Sequence, residues 1–186
     1  VVQWTTGYVG QQAVKEIVRR PDLELVGVFA HDPGKVGKDA AELCGLDEPT
    51  GVLATSDEAA LLALAPDCVS YNRLHIDPDE VARILAARVN VVTTSEFLTG
   101  YGIGPEATAK IAAGAAAGGA TILGTGVNPG FAELFAAVGA GISRNIRKLT
   151  LSESADVTLF ANDPNFTGVG WNRPGASSSP AGSRFL

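Results

Sequence analysis

Apolar residues along this 186-residue chain fall into two alternating rhythms, short continuous runs and longer stretches spaced by three or four positions. The chain opens on VVQWTT, a β-prone run, followed by GYVG and then by Val14, Ile17 and Val18 at helical spacing, which predicts strand, tight turn and helix. Pro21 and Asp22 stop that helix, and the nearly unbroken apolar run LELVGVFA at 23–30 suits a parallel strand covered on both faces. A weak strand at 52–55 follows. Ser56 or Asp57 then caps a helix bearing Leu61, Leu62 and Leu64, and DCVSY at 67–71 is the next strand. Asp77 and Pro78 start a helix with Val81, Ile84 and Leu85 on one face, after which a strand at 90–94, a helix at 106–117 and a strand at 120–126 extend the series.

Strands alternating with helices of this length predict the α/β class, with a doubly wound parallel sheet of Rossmann type over residues 1–128. Beyond Asn128 the rhythm changes to a helix at 131–142 and an alternating strand at 148–160, so part of an α+β second domain is expected over 129–171. Residues 172–186 are aperiodic and rich in Ser, Pro, Gly and Ala, which predicts a disordered tail. The stretch 129–171 is too short to form an independent core.

Composition narrows the function classes. With 46% hydrophobic and 18% charged residues the chain is globular, and 14 basic against 20 acidic residues leave a net charge of −6 that would repel a nucleic-acid backbone. Arg19 and Arg20, the densest basic cluster of the first half, fall at a helix end where cations meet the dipole favourably. The two cysteines, Cys44 and Cys68, make no disulfide framework and no secretory leader precedes the first strand, so the cytoplasm is the expected compartment. A long uncharged stretch at 111–132 is interrupted by Asn128 and Pro129, and a helix, strand and turn account for it better than a membrane span.

The candidate chemistry begins at the first turn. A pyrophosphate needs backbone N–H groups aimed at it and no side chain in its path, so such turns are glycine-rich and open a helix. Gly7 and Gly10 stand at the second and third positions of the three-glycine fingerprint, with Thr5 where the first glycine would be. This assigns Thr6, Gly7, Tyr8, Val9 and Gly10 to a dinucleotide. At the end of the second strand, AHDPGKVGK offers Asp32, which suits NAD by position, and His31, Lys35 and Lys38, which suit NADP by charge. NADP is the expected cofactor and NAD the alternative, with His31 and Lys35 as contacts.

Ligands of open parallel sheets bind beyond the carboxyl ends of the strands, which selects Tyr71 and Asn72, then Thr94, Ser95 and Glu96, then Thr125 and Asn128. Of these, Tyr71, Thr94 and Asn128 are expected cofactor contacts. Glu96 is the expected catalytic group, a carboxylate followed by Phe97 and Leu98, where partial burial would raise its pKa towards a range useful for proton exchange. His75 also follows a strand end, but a loop histidine ahead of a helix is more often a solvated or capping residue. The two histidines and two cysteines lack metal-ligand spacing, and neither cysteine is placed as a nucleophile.

Several strings together carry a resemblance: VVQWTTGYVG, DLELVGVFAHDPGKVGKDAAELCGL, NVVTTSEF, and GTGVNPGF followed by LTLSESADV. Over roughly residues 1–160 the chain resembles the dihydrodipicolinate reductase-like family that includes 2,4-diaminopentanoate dehydrogenase and the native amine dehydrogenases, especially actinobacterial members. The resemblance implies a Rossmann domain and an α+β substrate domain that also mediates homodimerisation. It implies reversible NAD(P)-dependent reductive amination of a ketone or aldehyde with ammonia, by hydride transfer to an imine. The family's active-site glutamate falls on Glu96, with the role of binding and orienting the ammonia or imine nitrogen, and Asn128 would lie near the nicotinamide. The paired histidines and the lysine with which true dihydrodipicolinate reductases hold their substrate are absent. Family members are much longer, and after Gly170 the chain departs from their pattern, which is expected of a fragment or a shifted reading frame. The competing expectation is a cofactor-binding module without turnover.

Overall fold

In the computed structural model, residues 1–95, 97, 100–150, 152, 154, 156 and 158 are described. They divide into two compact units, Val1–Ala132 and Glu133–Leu186.

The first unit is built on six strands, β1 (Val2–Trp4), β2 (Gly27–Phe29), β3 (Ala54–Thr55), β4 (Cys68–Tyr71), β5 (Asn90–Thr93) and β6 (Ile122–Gly124). All neighbours pair in parallel, in the order β3-β2-β1-β4-β5-β6. Parallel pairing forces each connection to cross the sheet, and the helices do so: α1 (Tyr8–Arg19), α2 (Ala40–Cys44), α3 (Glu58–Ala63), α4 (Pro78–Ala86) and α5 (Pro105–Gly118). The expected doubly wound parallel sheet is present.

Side chains alternate across the pleat, so each strand feeds two cores. Val2, Trp4, Phe29, Val69, Tyr71 and Val91 pack with Leu61, Ile84 and Ile111 of α3, α4 and α5 on one face. Val28, Ala30 and Ala54 pack with Val14 and Ile17 of α1 and with Ala40 and Cys44 of α2 on the other. Gly114 and Gly118 lie against the backbone of Ala82 and Leu85, where a Cβ would collide, so α5 packs directly on α4. Of the small residues in the uncharged 111–132 stretch, Gly114 and Gly118 are the ones this close approach requires. No described helix is long and apolar enough to cross a membrane.

The strands run shorter than the sequence pattern predicts, most of all β2, which keeps three residues of the apolar run at 23–30, whereas α5 extends one residue beyond the predicted 106–117 at each end. The helix α2 has no predicted counterpart: Asp39 caps it, accepting from the Ala41 N–H at 2.7 Å, and Gly45 ends it in the left-handed conformation. The helix predicted at 131–142 is present as α6 (Ala132–Ala140), which follows a π-helical turn at Val127–Phe131 of the first unit and carries the chain into the second unit. The alternating strand predicted at 148–160 is corrected where it can be followed, because residues 148–150 carry no strand. A strand exists through its pairing, and no described residue of that unit pairs with these three. Its remainder is described at only four positions, none of them in a strand, and the tail at 172–186 lies outside the described residues.

Candidate functional site

β1 ends at Trp4, and the chain leaves it through Thr5, whose φ of +78° lies in the left-handed region. Gly7 is extended and opens α1 with no side-chain cap, and no acidic residue occupies the first helical turn. The first turn of an α-helix has N–H groups without intrahelical acceptors and carries the positive end of the dipole, so an uncapped, acid-free start suits an anion. Gly10 is demanded by packing, because a Cβ there would collide with the Thr5 carbonyl oxygen. At Gly7 a Cβ would meet nothing within 4 Å, so that side of the turn is open.

An open cleft of about 340 Å³ lies beside this turn, lined by Thr5, Gly7, Asn72, Arg73, Leu74 and His75. It sits between the carboxyl ends of β1 and β4, the two central strands, where the chain winds outward in opposite directions. That is the topological switch point, at which open α/β sheets bind ligands. Asn72 is fixed from three sides: its Oδ1 accepts from Gln3 Nε2 at 2.9 Å and Ser70 Oγ at 3.0 Å, and its Nδ2 donates to Thr94 Oγ1 at 3.0 Å. Arg73 donates to Glu80 at 2.8 Å and pairs with Asp77 at 3.4 Å. Ser95 Oγ donates to the Arg73 carbonyl at 2.6 Å, tying the end of β5 to the same loop.

Thr6 is buried, and its carbonyl and hydroxyl oxygens each accept from Lys35 Nζ at 3.1 Å, which brings the basic loop after β2 to the glycine turn. His31 is exposed, with its ring edge-on to Phe29 at 4.7 Å. Asp32 closes its own loop by accepting from the Gly34 N–H at 2.8 Å. Tyr8 and Val9 are exposed at the helix start.

Tyr71 is a correction. It is fully buried and its hydroxyl donates to Glu80 at 2.6 Å, so the side chain belongs to the core and the cleft is lined by the next residue, Asn72. The pleat explains the difference, since a one-residue step changes the face. Burial, and then the bond to Glu80, pushes the Tyr71 phenol far above its ordinary range. Asn128 falls in the turn Val127–Phe131, with its side chain outside what is described, and Glu96 lies outside the described residues.

Sequence reasoning passed over Gln3, Arg73, Leu74 and Glu80. Gln3 leaves a visible signal, a polar residue in an otherwise apolar strand run. Burial pushes the thiols of Cys44 and Cys68 up, which disfavours a thiolate at either position. Among the described residues no group of three His, Cys, Asp or Glu is placed to hold a metal.

No family model matches the chain. An amine dehydrogenase of Streptomyces virginiae is 32% identical over 167 residues, which covers 86% of this chain and 46% of that protein. The structure of an amine dehydrogenase from Mycobacterium smegmatis superposes with a TM-score of 0.67 at 31% identity, over 78% of this chain and 44% of that one. The resemblance to the dihydrodipicolinate reductase-like family holds, on its amine dehydrogenase branch. A 4-hydroxy-tetrahydrodipicolinate reductase of Trichormus variabilis is 40% identical over 62 residues, 33% of this chain and 22% of that protein. GenD2 from gentamicin A biosynthesis, solved in complex with NAD, shares the fold at 18% identity and a TM-score of 0.50, over 66% of this chain and 33% of that one. This amine dehydrogenase-like chain thus spans less than half the length of the relatives it matches.

Proposed function

We propose that the chain supplies the dinucleotide-binding domain, residues 1–128, of an NAD(P)-dependent oxidoreductase of amine dehydrogenase type. The observation that carries this reading is the uncapped start of α1, open at Gly7 and drawn onto Thr5 at Gly10, facing the cleft at the switch point. The residues present fit a nicotinamide dinucleotide. Its pyrophosphate belongs over Gly7 and the first turn of α1, and the nicotinamide, which supplies hydride chemistry when bound, belongs towards Asn72 and Thr94. Lys35 favours NADP over NAD, because its ammonium already reaches the turn and suits a 2′-phosphate, while Asp32 is engaged by its own loop. The amine dehydrogenase relatives support reversible reductive amination of a ketone or aldehyde with ammonia, with Glu96 holding the ammonia or imine nitrogen and exchanging its proton. Dimerisation through the second domain, 129–171, and a cytoplasmic location belong to the same proposal on the strength of the family resemblance.

The test is consumption of NADPH by the purified chain with ammonia and a panel of small ketones and aldehydes. Turnover that requires both ammonia and carbonyl is expected, and Glu96→Ala should abolish it while changing NADPH affinity by less than about threefold. Lys35→Ala should weaken NADPH about tenfold and leave NADH within about twofold, the loss of one charge-assisted contact. Tight NADPH binding without turnover would leave a binding module, and activity retained in Glu96→Ala would remove that residue from its role.

A further inference from the structure

Gln3 is chemically out of place. It lies in β1, a central strand, between the buried Val2 and Trp4, and is itself 0% exposed. The two N–H groups of its Nε2 point at the Thr5 carbonyl at 2.9 Å and Asn72 Oδ1 at 2.9 Å, with the Trp4 carbonyl at 3.2 Å sharing one of them. The two carbonyls can only accept, and Asn72 Oδ1 already receives Ser70 Oγ, so the amide nitrogen must face them. Meanwhile Gln3 Oε1 is buried with no hydrogen-bond partner among the described residues. A half-satisfied amide in a central strand is costly, and its donor half must offset that cost.

What the donor half reaches is the strained residue of the turn. Thr5 has a φ of +78°, a region that β-branched residues avoid, at the position where the three-glycine fingerprint places its first glycine. A glycine would adopt this conformation unaided. Thr5 is held instead by bonds at each polar group: its N–H donates to the Phe29 carbonyl at 3.0 Å, its hydroxyl to the Asn72 carbonyl at 3.3 Å, and its carbonyl accepts from Gln3. The same carbonyl is the atom against which Gly10 packs.

We infer that Gln3 is a positioning residue for the dinucleotide turn: its buried amide clamps the Thr5 carbonyl and holds by hydrogen bonding the left-handed bend that a glycine would supply by lacking a side chain. The inference rests on the dinucleotide reading above. Releasing the clamp lets Thr5 relax to negative φ, which turns the Thr5–Thr6 peptide and moves the N–H groups that open α1 away from the pyrophosphate. The same amide fixes Asn72, so one buried side chain aligns both walls of the cleft.

The test is a set of variants read by NADPH titration and thermal melting. Gln3→Met, which keeps the shape and removes the donor, should weaken NADPH at least about tenfold. Adding Thr5→Gly to Gln3→Met should recover most of that affinity, because glycine needs no clamp. Arg19→Ala, which breaks only the exposed pair with Glu16 at the far end of α1, should leave affinity within about threefold. A merely structural glutamine would give no such rescue. Affinity of Gln3→Met within threefold of wild type, or loss that Thr5→Gly fails to restore, would overturn the inference. Should Gln3→Met not fold, Thr5→Gly alone decides: a raised melting temperature supports a strained, clamped Thr5, and a lowered one overturns it. Failure of the wild type to bind either coenzyme would instead remove the dinucleotide reading, with the Thr5→Gly melt still judging the clamp.

Discussion

At the scale of single residues, Tyr71 shows how burial and charge combine. Its phenol lies in the core against Glu80, which also receives Arg73, and burial first and the Glu80 bond second hold the proton on the oxygen. A group whose pKa is raised on folding contributes stability that is whole below its unfolded value and is lost as pH rises through the folded one. For Tyr71 that unfolded value is 10.0, so stability should fall as pH climbs beyond it. Tyr71→Phe removes one buried hydrogen bond, should cost about 1–2 kcal/mol at neutral pH, and should flatten the alkaline decline; urea midpoints at neutral and alkaline pH measure both. The sequence pattern located the end of β4 and selected both Tyr71 and Asn72 there, but not the direction of each side chain, so Tyr71 turns into the core and Asn72 lines the cleft. The strain at Thr5 was equally hidden, since the string TTG does not display a backbone angle.

At the scale of elements, the amphipathic spacing of α1 and the apolar runs of the strands foretold the βαβ order because their periods follow from geometry. The five-residue α2 escaped because it is too short to show a period, and a polar device holds it. Asp39 accepts from the N–H groups of Ala41, Thr50 and Gly51 and from the Thr50 hydroxyl, and the Ala41 bond leads in drawing its carboxyl below the ordinary aspartate range. A depressed carboxylate stabilises above its unfolded value, here 3.8, and that contribution is lost as pH falls through the folded one. Asp39→Asn should therefore cost about 1–2 kcal/mol at pH 7 and progressively less under acid, as read by denaturant melts. Between α1 and the β1 turn, Gly10→Ala forces a methyl into the Thr5 carbonyl, so it should lower stability by about 1–3 kcal/mol and weaken NADPH more than tenfold in titration.

For the molecule as a whole, alternation and right-handed crossovers allow more than one strand order, and the observed order of the first unit is what brings the residues after β1 and β4 together. The glycine turn was legible from its local string, while Arg73 and Leu74, ordinary loop residues in sequence, became cleft residues only through the fold. The second unit was less legible because an alternating pattern predicts a strand without naming its partner. Coenzyme bound to the folded state alone should stabilise it by about 2.7 kcal/mol at a hundredfold excess over Kd, raising the melting temperature by several degrees.

Backbone amide NMR of the chain titrated with NADPH tests the location of the site most directly. The largest shift changes should fall on Gly7, Tyr8, Val9 and Gly10 and on Asn72, Arg73, Leu74 and His75, the two walls of the cleft. Saturating NADPH that leaves those amides unmoved, or moves a different set, would contradict the dinucleotide site.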